Sequence, residues 1–158
     1  MGAGTLGALM VAGSLALGST AVAATEIVPG EGIADVELGM QQAQVIDVIG
    51  KPKIVKKGRH EFGRYKTLRY GVKGRKLTVN LLRGRVIMVS TEKRSELTSS
   101  GVGVGSTKKQ VRRRVPGVRC QSELGLCHVN EFLPGEKVTT FHLESGIVTR
   151  VDVGTVID

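Results

Sequence analysis

The chain has no tryptophan, and Phe and Tyr together make up only 3% of its residues. So few aromatic rings cannot build a base-stacking platform, so the sequence gives no reason to expect nucleic acid as a partner. Two cysteines cannot form a disulfide-rich scaffold or fill a four-ligand zinc site. No Ser or Cys sits in a G-x-S-x-G context, and no G-x-x-x-x-G-K-[ST] loop is present. Asp35 and Glu37 would act as an acid pair only within a cleft, and nothing in the sequence predicts one. The sequence therefore points away from an enzyme and from any cofactor or metal. A small hydrolase is the least supported class.

Acidic residues are also scarce. Against 23 Lys and Arg stand 14 Asp and Glu, which gives a net charge of +9 over 158 residues. With 41% hydrophobic residues, the chain can fold into one or two small domains. The charge is blocked. Residues 26–50 carry five acids and no base, residues 51–119 carry 21 bases and three acids, and residues 120–158 carry two bases and six acids. The middle block reads as a cationic belt that attracts polyanions and weakens with salt. Its candidate binding residues are Lys56, Lys57, Arg59, Arg64, Lys66 and Arg69, followed by Lys108, Lys109, Arg112, Arg113 and Arg114. The expected partner is an anionic envelope polymer, an anionic lipid surface or an acidic protein.

Charge is absent altogether from residues 1–25. Leu6–Leu17 is an apolar run of the length found in secretory signals, and Ala21-Val22-Ala23 supplies the small-x-small pattern for cleavage before Ala24. Gly18, Ser19 and Thr20 dilute the run below what a membrane-spanning helix needs. No Lys or Arg precedes it, which keeps an uncleaved anchor open. No Cys follows the cleavage site, which disfavours a lipid anchor. Residues 1–23 are read as a signal peptide, the remainder as secreted or extracytoplasmic, in periplasm or cell wall, with no transmembrane segment after removal.

In that oxidising setting Cys120 and Cys127 are expected to pair. A hairpin centred on Glu123-Leu124 sets them opposite each other within disulfide reach. His128 follows Cys127 directly and would point to the other face of a strand, so Cys120, Cys127 and His128 make a poor metal chelate. His60 reads as a solvated side chain beside Glu61, and His142 as an outward position between Phe141 and Leu143. The Gly101–Ser106 stretch is glycine-rich and leads into a helix, whose first turn offers a weaker anion site near Lys108 and Lys109.

The chain also shows internal similarity. At a shift of 66, Val36, Gly39, Gln44 and Val45 recur as Val102, Gly105, Gln110 and Val111. Thr107 and Gln110 fit a capping box, and the helix it opens should run from Lys108 to Val115 and stop at Pro116. The earlier helix lies between Gly39 and Gly50, with Val45, Val48 and Ile49 as its buried stripe. Period-2 runs around Leu77–Leu81 and Thr139–Leu143 each meet a glycine turn and a second apolar run, as hairpins do. The expected fold is α+β: two tandem repeats, each a short helix packed on a small antiparallel sheet. The units span 33–92 and 101–154, joined by a polar linker over 93–100.

Leu38-Gly39-Met40, Gln44-Val45 and Ile49-Gly50-Lys51-Pro52 resemble the opening of the SmpA/OmlA family, which includes an outer-membrane assembly lipoprotein. Val104–Thr107 with Gln110-Val111 is a looser second match. Two such units in tandem are similar in architecture to the secreted β-lactamase inhibitor protein. The resemblance implies a fold and transfers no site residue. It adds a second functional expectation beside the envelope binding or scaffold protein, namely an inhibitor of a secreted or periplasmic enzyme.

Overall fold

In the computed structural model, Met1 and residues 26–157 are described, and the proposed signal peptide over residues 1–23 lies outside them apart from Met1. Two sheets and two short helices make up the fold. A small three-stranded sheet opens the described chain, formed by β1 (Ile27–Val28), β2 (Gly32–Ile33) and β3 (Val36–Glu37). Helix α1 (Gln42–Ile49) leads to β4 (Ile54–His60), β5 (Gly63–Tyr70), β6 (Leu77–Leu82) and β7 (Arg85–Thr91). Helix α2 (Lys108–Arg114) leads to β8 (Arg119–Gln121), β9 (Leu126–Val129), β10 (Lys137–Glu144) and β11 (Ile147–Thr155).

The eight longer strands form one continuous antiparallel sheet in the order β4-β5-β6-β7-β11-β10-β9-β8. This corrects the expectation of two tandem units with separate small sheets. The join is β7 against β11, where Val89 faces Val153 and Thr91 faces Val151. Each half alone would leave a row of unpaired N–H and C=O groups at that edge, and pairing the two edges removes both rows. What does recur is a local lead-in to each helix. Gly39 and Met40 exchange backbone hydrogen bonds with Val86, and Gly105 and Ser106 do the same with Val148. The Gln110 N–H donates to Thr107 Oγ1 at 3.2 Å while the Thr107 N–H donates to Gln110 Oε1 at 2.7 Å, the expected capping box. Gln44 accepts from the Gln41 N–H in the same way.

One sheet face carries the core. Leu68, Val79, Val89, Val153 and Thr139 stand side by side across five strands and are all fully buried. Both helices and the small sheet cover this face: Val45 from α1, Val111 from α2, and Ile27, Ile33 and Val36 from the small sheet enter the same cluster. The Gly30 N–H donates to Thr139 Oγ1 at 2.8 Å, which seats the small sheet over the centre. Gly32 must be glycine there, because a Cβ would strike the Val36 carbonyl. Val48 was expected in the buried stripe of α1 but is 47% exposed, so Val45 anchors the helix with Ile49 partly buried. The turns Arg83-Gly84 and Ser145-Gly146 have positive φ at both residues, as tight two-residue hairpins require. The polar stretch after β7 holds a fully buried Glu96, whose carboxylate lies 3.2 Å from Lys93 Nζ.

Candidate functional site

The first six belt cations lie on the β4–β5 hairpin, which forms one end of the large sheet. Its register puts Lys57 opposite Lys66 and Arg59 opposite Arg64. Alternation places both pairs on one face, shared with Leu68 and with α1. Lys56, opposite Thr67, and Arg69, opposite Ile54, point from the other face. Facing residues on paired strands have Cβ atoms only about 5 Å apart, and like charges so placed are destabilising. The hairpin contains one carboxylate, Glu61 at its turn, which lies 4.0 Å from His60 and is itself well exposed. Among the described residues, none of the eleven belt cations forms an ion pair with a carboxylate.

Three contacts hold the hairpin in shape. Lys66 Nζ donates to Gln42 Oε1 of α1 at 2.6 Å. The Arg83 N–H donates to the Arg64 carbonyl at 2.9 Å, and Arg83 Nε donates to the Phe62 carbonyl at 2.7 Å. Arg83 therefore bridges the β6–β7 turn to the hairpin and adds a cation that sequence reading did not select. Its signal was present: an Arg in a tight turn beside Gly84, one pairing register from the basic strands. On the opposite face the Tyr65 ring lies across Gly58, where any Cβ would collide with it. Lys57, Arg64, Lys66 and Arg83, together with Gly58, Tyr65 and Gly84, line a cleft of about 550 Å³.

The second group of belt residues sits elsewhere. Helix α2 attaches to the other half of the large sheet, through the Thr107–Ile147 bridge and the 2.7 Å hydrogen bond from Lys108 Nζ to Ser122 Oγ. The belt that is continuous in sequence is thus split in space, with β6 and β7 between the hairpin and the half that α2 covers. Arg112, Arg113 and Arg114 fill the last turn of α2. Cations there complement the negative end of the helix dipole, which gives them a structural role. The facing cations of the hairpin have no such compensation. Lys109 is exposed.

The histidines and cysteines resolve separately. Cys120 and Cys127 form a disulfide across the β8–β9 pair. His128 is buried; its Nδ1 lies 2.7 Å from the Asn130 carbonyl and its Nε2 3.2 Å from the Gln121 amide. His142 lies on the sheet face away from the helices, with Nε2 2.7 Å from Asp152 Oδ2. Arg150 Nε stands 3.0 Å from the other oxygen of Asp152. Burial raises the Asp152 carboxyl, but the hydrogen bond to His142 and the Arg150 charge outweigh it and hold it below the usual carboxylate range. Asp152 is likewise the cross-strand neighbour of Ser90. The order Ser–Asp–His puts the carboxylate, not the imidazole, next to the hydroxyl, which is the wrong sequence for activating a nucleophile. Asp35 and Glu37 share a small 120 Å³ cleft with Glu26 and Glu31 on the three-stranded sheet.

No known family profile and no curated protein matches the chain. Its fold is similar to that of a cysteine-rich secretory protein of Staphylococcus aureus, with a TM-score of 0.51 at 13% identity. That match covers 80% of this chain and 47% of the other, so the chain spans about half the length of this neighbour. An extracellular, SCP-domain-containing protein of Bacillus anthracis matches at a TM-score of 0.48 and 8% identity, over 75% of this chain and 44% of that one. The Escherichia coli protein YfeY matches at 0.48 and 10% identity, over 80% of this chain and 95% of that one. The lack of a matching family profile, the single eight-stranded sheet and the fold shared with the secretory protein correct the resemblance to the SmpA/OmlA family and to the β-lactamase inhibitor protein. That resemblance rested on a glycine turn followed by a Gln-capped helix, and any short helix entering from a tight turn calls for those residues.

Proposed function

We propose that the chain is an exported, non-catalytic binding protein of the bacterial envelope that captures an anionic partner through its β4–β5 hairpin. The observation that carries this reading is the pairing of Lys57 with Lys66 and Arg59 with Arg64 on one face, with no carboxylate between them. Such an arrangement costs stability in the free protein. An anionic partner converts that cost into binding free energy. Export is supported by the apolar leader with its small-residue cleavage pattern and by the Cys120–Cys127 disulfide, which persists in oxidising compartments. The neighbour of similar fold is named as a secretory protein, which agrees with it.

The test is sedimentation of the chain with anionic and with neutral vesicles, and with cell-wall extract, over a range of salt. Capture of the anionic material should fall steeply as salt rises, by about an order of magnitude per few-fold increase for several contacts. Binding that is indifferent to salt would remove the reading. A salt-resistant stoichiometric complex with one secreted enzyme would replace it with the inhibitor alternative.

A further inference from the structure

We infer that the cleft lined by Lys57, Arg64, Lys66 and Arg83 is a binding site for polyvalent phosphate, meaning two or more phosphate groups presented together. The inference rests on the hairpin reading above and narrows it to one site and one ligand chemistry. Four cations from two separate hairpins converge on a single cleft of about 550 Å³, a volume typical of ligand sites, and no carboxylate lines it. The donors remain available. Arg83 spends Nε on the Phe62 carbonyl, which leaves its two terminal nitrogens free to grip an oxyanion as a fork. Lys66 spends one hydrogen on Gln42 and keeps two. That same bond fixes where its ammonium sits, and the Phe62 bond fixes the Arg83 fork, so part of the ordering cost of binding is already met in the free protein.

Charge decides the ligand class. A single carboxylate would leave three of the four cations uncompensated, whereas a phosphate monoester brings a charge of about −1.5 to −2. Two phosphates therefore balance the cleft. Forked Arg donors flanked by the point charges of Lys match phosphate oxygens better than they match a planar carboxylate alone. Base-bearing polymers fit less well, because a single aromatic residue, Tyr65, lines the cleft, and its ring lies across Gly58 on the sheet face opposite Lys57, Arg64 and Lys66. The arginines of helix α2 instead complement its own dipole.

Calorimetric titration of the full chain with inorganic tripolyphosphate tests this, using R64Q/R83Q, the charge-keeping R64K/R83K, and R112Q/R113Q on α2. We expect R64Q/R83Q to weaken binding by about tenfold or more, R64K/R83K by less, and R112Q/R113Q by less than about threefold. Thermal melts of each variant separate a lost site from a lost fold. Competition by phosphatidic acid vesicles then assigns the source: displacement of tripolyphosphate means that a lipid headgroup can enter the cleft, and failure to displace it means a soluble phosphate chain. Equal loss from the hairpin and α2 variants would overturn the inference, as would binding to vesicles with none to tripolyphosphate. If tripolyphosphate binding survives R64Q/R83Q but falls in K56Q/R59Q, the cleft is wrong while hairpin capture stands.

Discussion

The two ends of the large sheet solve the same problem in opposite ways. A terminal strand exposes unpaired backbone groups, and proteins protect such edges with short strands, with charge or with covering elements. At one end β8 is three residues long, is stapled to β9 by the Cys120–Cys127 disulfide, and is flanked by the Arg119–Glu131 ion pair. At the other, β4 runs seven residues, nearly all exposed, and carries Lys56, Lys57 and Arg59. The β8 edge is kept short, tied to its inner neighbour by a covalent bond and flanked by paired opposite charges. The β4 edge is guarded by charges of one sign, which repel a second copy and leave an appetite for anions. A purely protective edge needs only a lysine or two, with no like-charged residue facing it from the next strand.

The largest effect should come from breaking the anchor of the cationic end. Leu68 is fully buried on β5 and faces Val55 of β4 on one side and Val79 of β6 on the other. Leu68→Ala should cost about 3 kcal/mol, read from the urea midpoint. Amide exchange in that variant should show residues 54–60 losing protection before residues 126–129, since β4 packs on little else. Equal loss at both ends would mean that the sheet opens as one unit, and the contrast between its edges would be only one of charge.

Next is the staple. Replacing both Cys120 and Cys127 with Ser should cost about 2–3 kcal/mol on the chain-entropy account of a short loop, with a denaturation midpoint that no longer responds to reductant. Anion capture should be unchanged, because the hairpin lies at the opposite end of the sheet. A fall in capture matching the fall in stability would show the two ends to be coupled.

How far the sequence could be read follows from the range of each signal. Thr107 with Gln110, the alternation of Leu77, Val79 and Leu81, the two glycine turns and the cysteine spacing are all local, and each appears in the structure as expected. The β7–β11 join pairs Val89 with Val153, residues far apart in the chain, and nothing near either one announces the other. That is why two apparent units concealed one sheet. The β4–β5 hairpin lacked the apolar alternation that identifies a strand, because Lys and Arg hold positions on both of its faces. A running charge count likewise could not tell that Lys57 and Lys56 face apart, or that α2 lies with the other half of the sheet. The site needed pairing register, and register is set by contacts between strands.

The smallest effect is the most discriminating, because stability and binding should move in opposite directions. Lys57→Glu replaces a like-charge pair with a cross-strand Glu–Lys pair facing Lys66. Opposite charges so placed are worth a few tenths to about 1 kcal/mol, so the variant should be more stable than the parent by about 0.5 kcal/mol. The same change puts a carboxylate into the cleft and reduces its net charge by two, which should weaken capture of anionic vesicles by about tenfold at low salt. An edge that is cationic only for protection predicts the gain in stability without the loss in capture. Seeing both would mean that the free protein tolerates repulsion at this hairpin for the sake of what it binds.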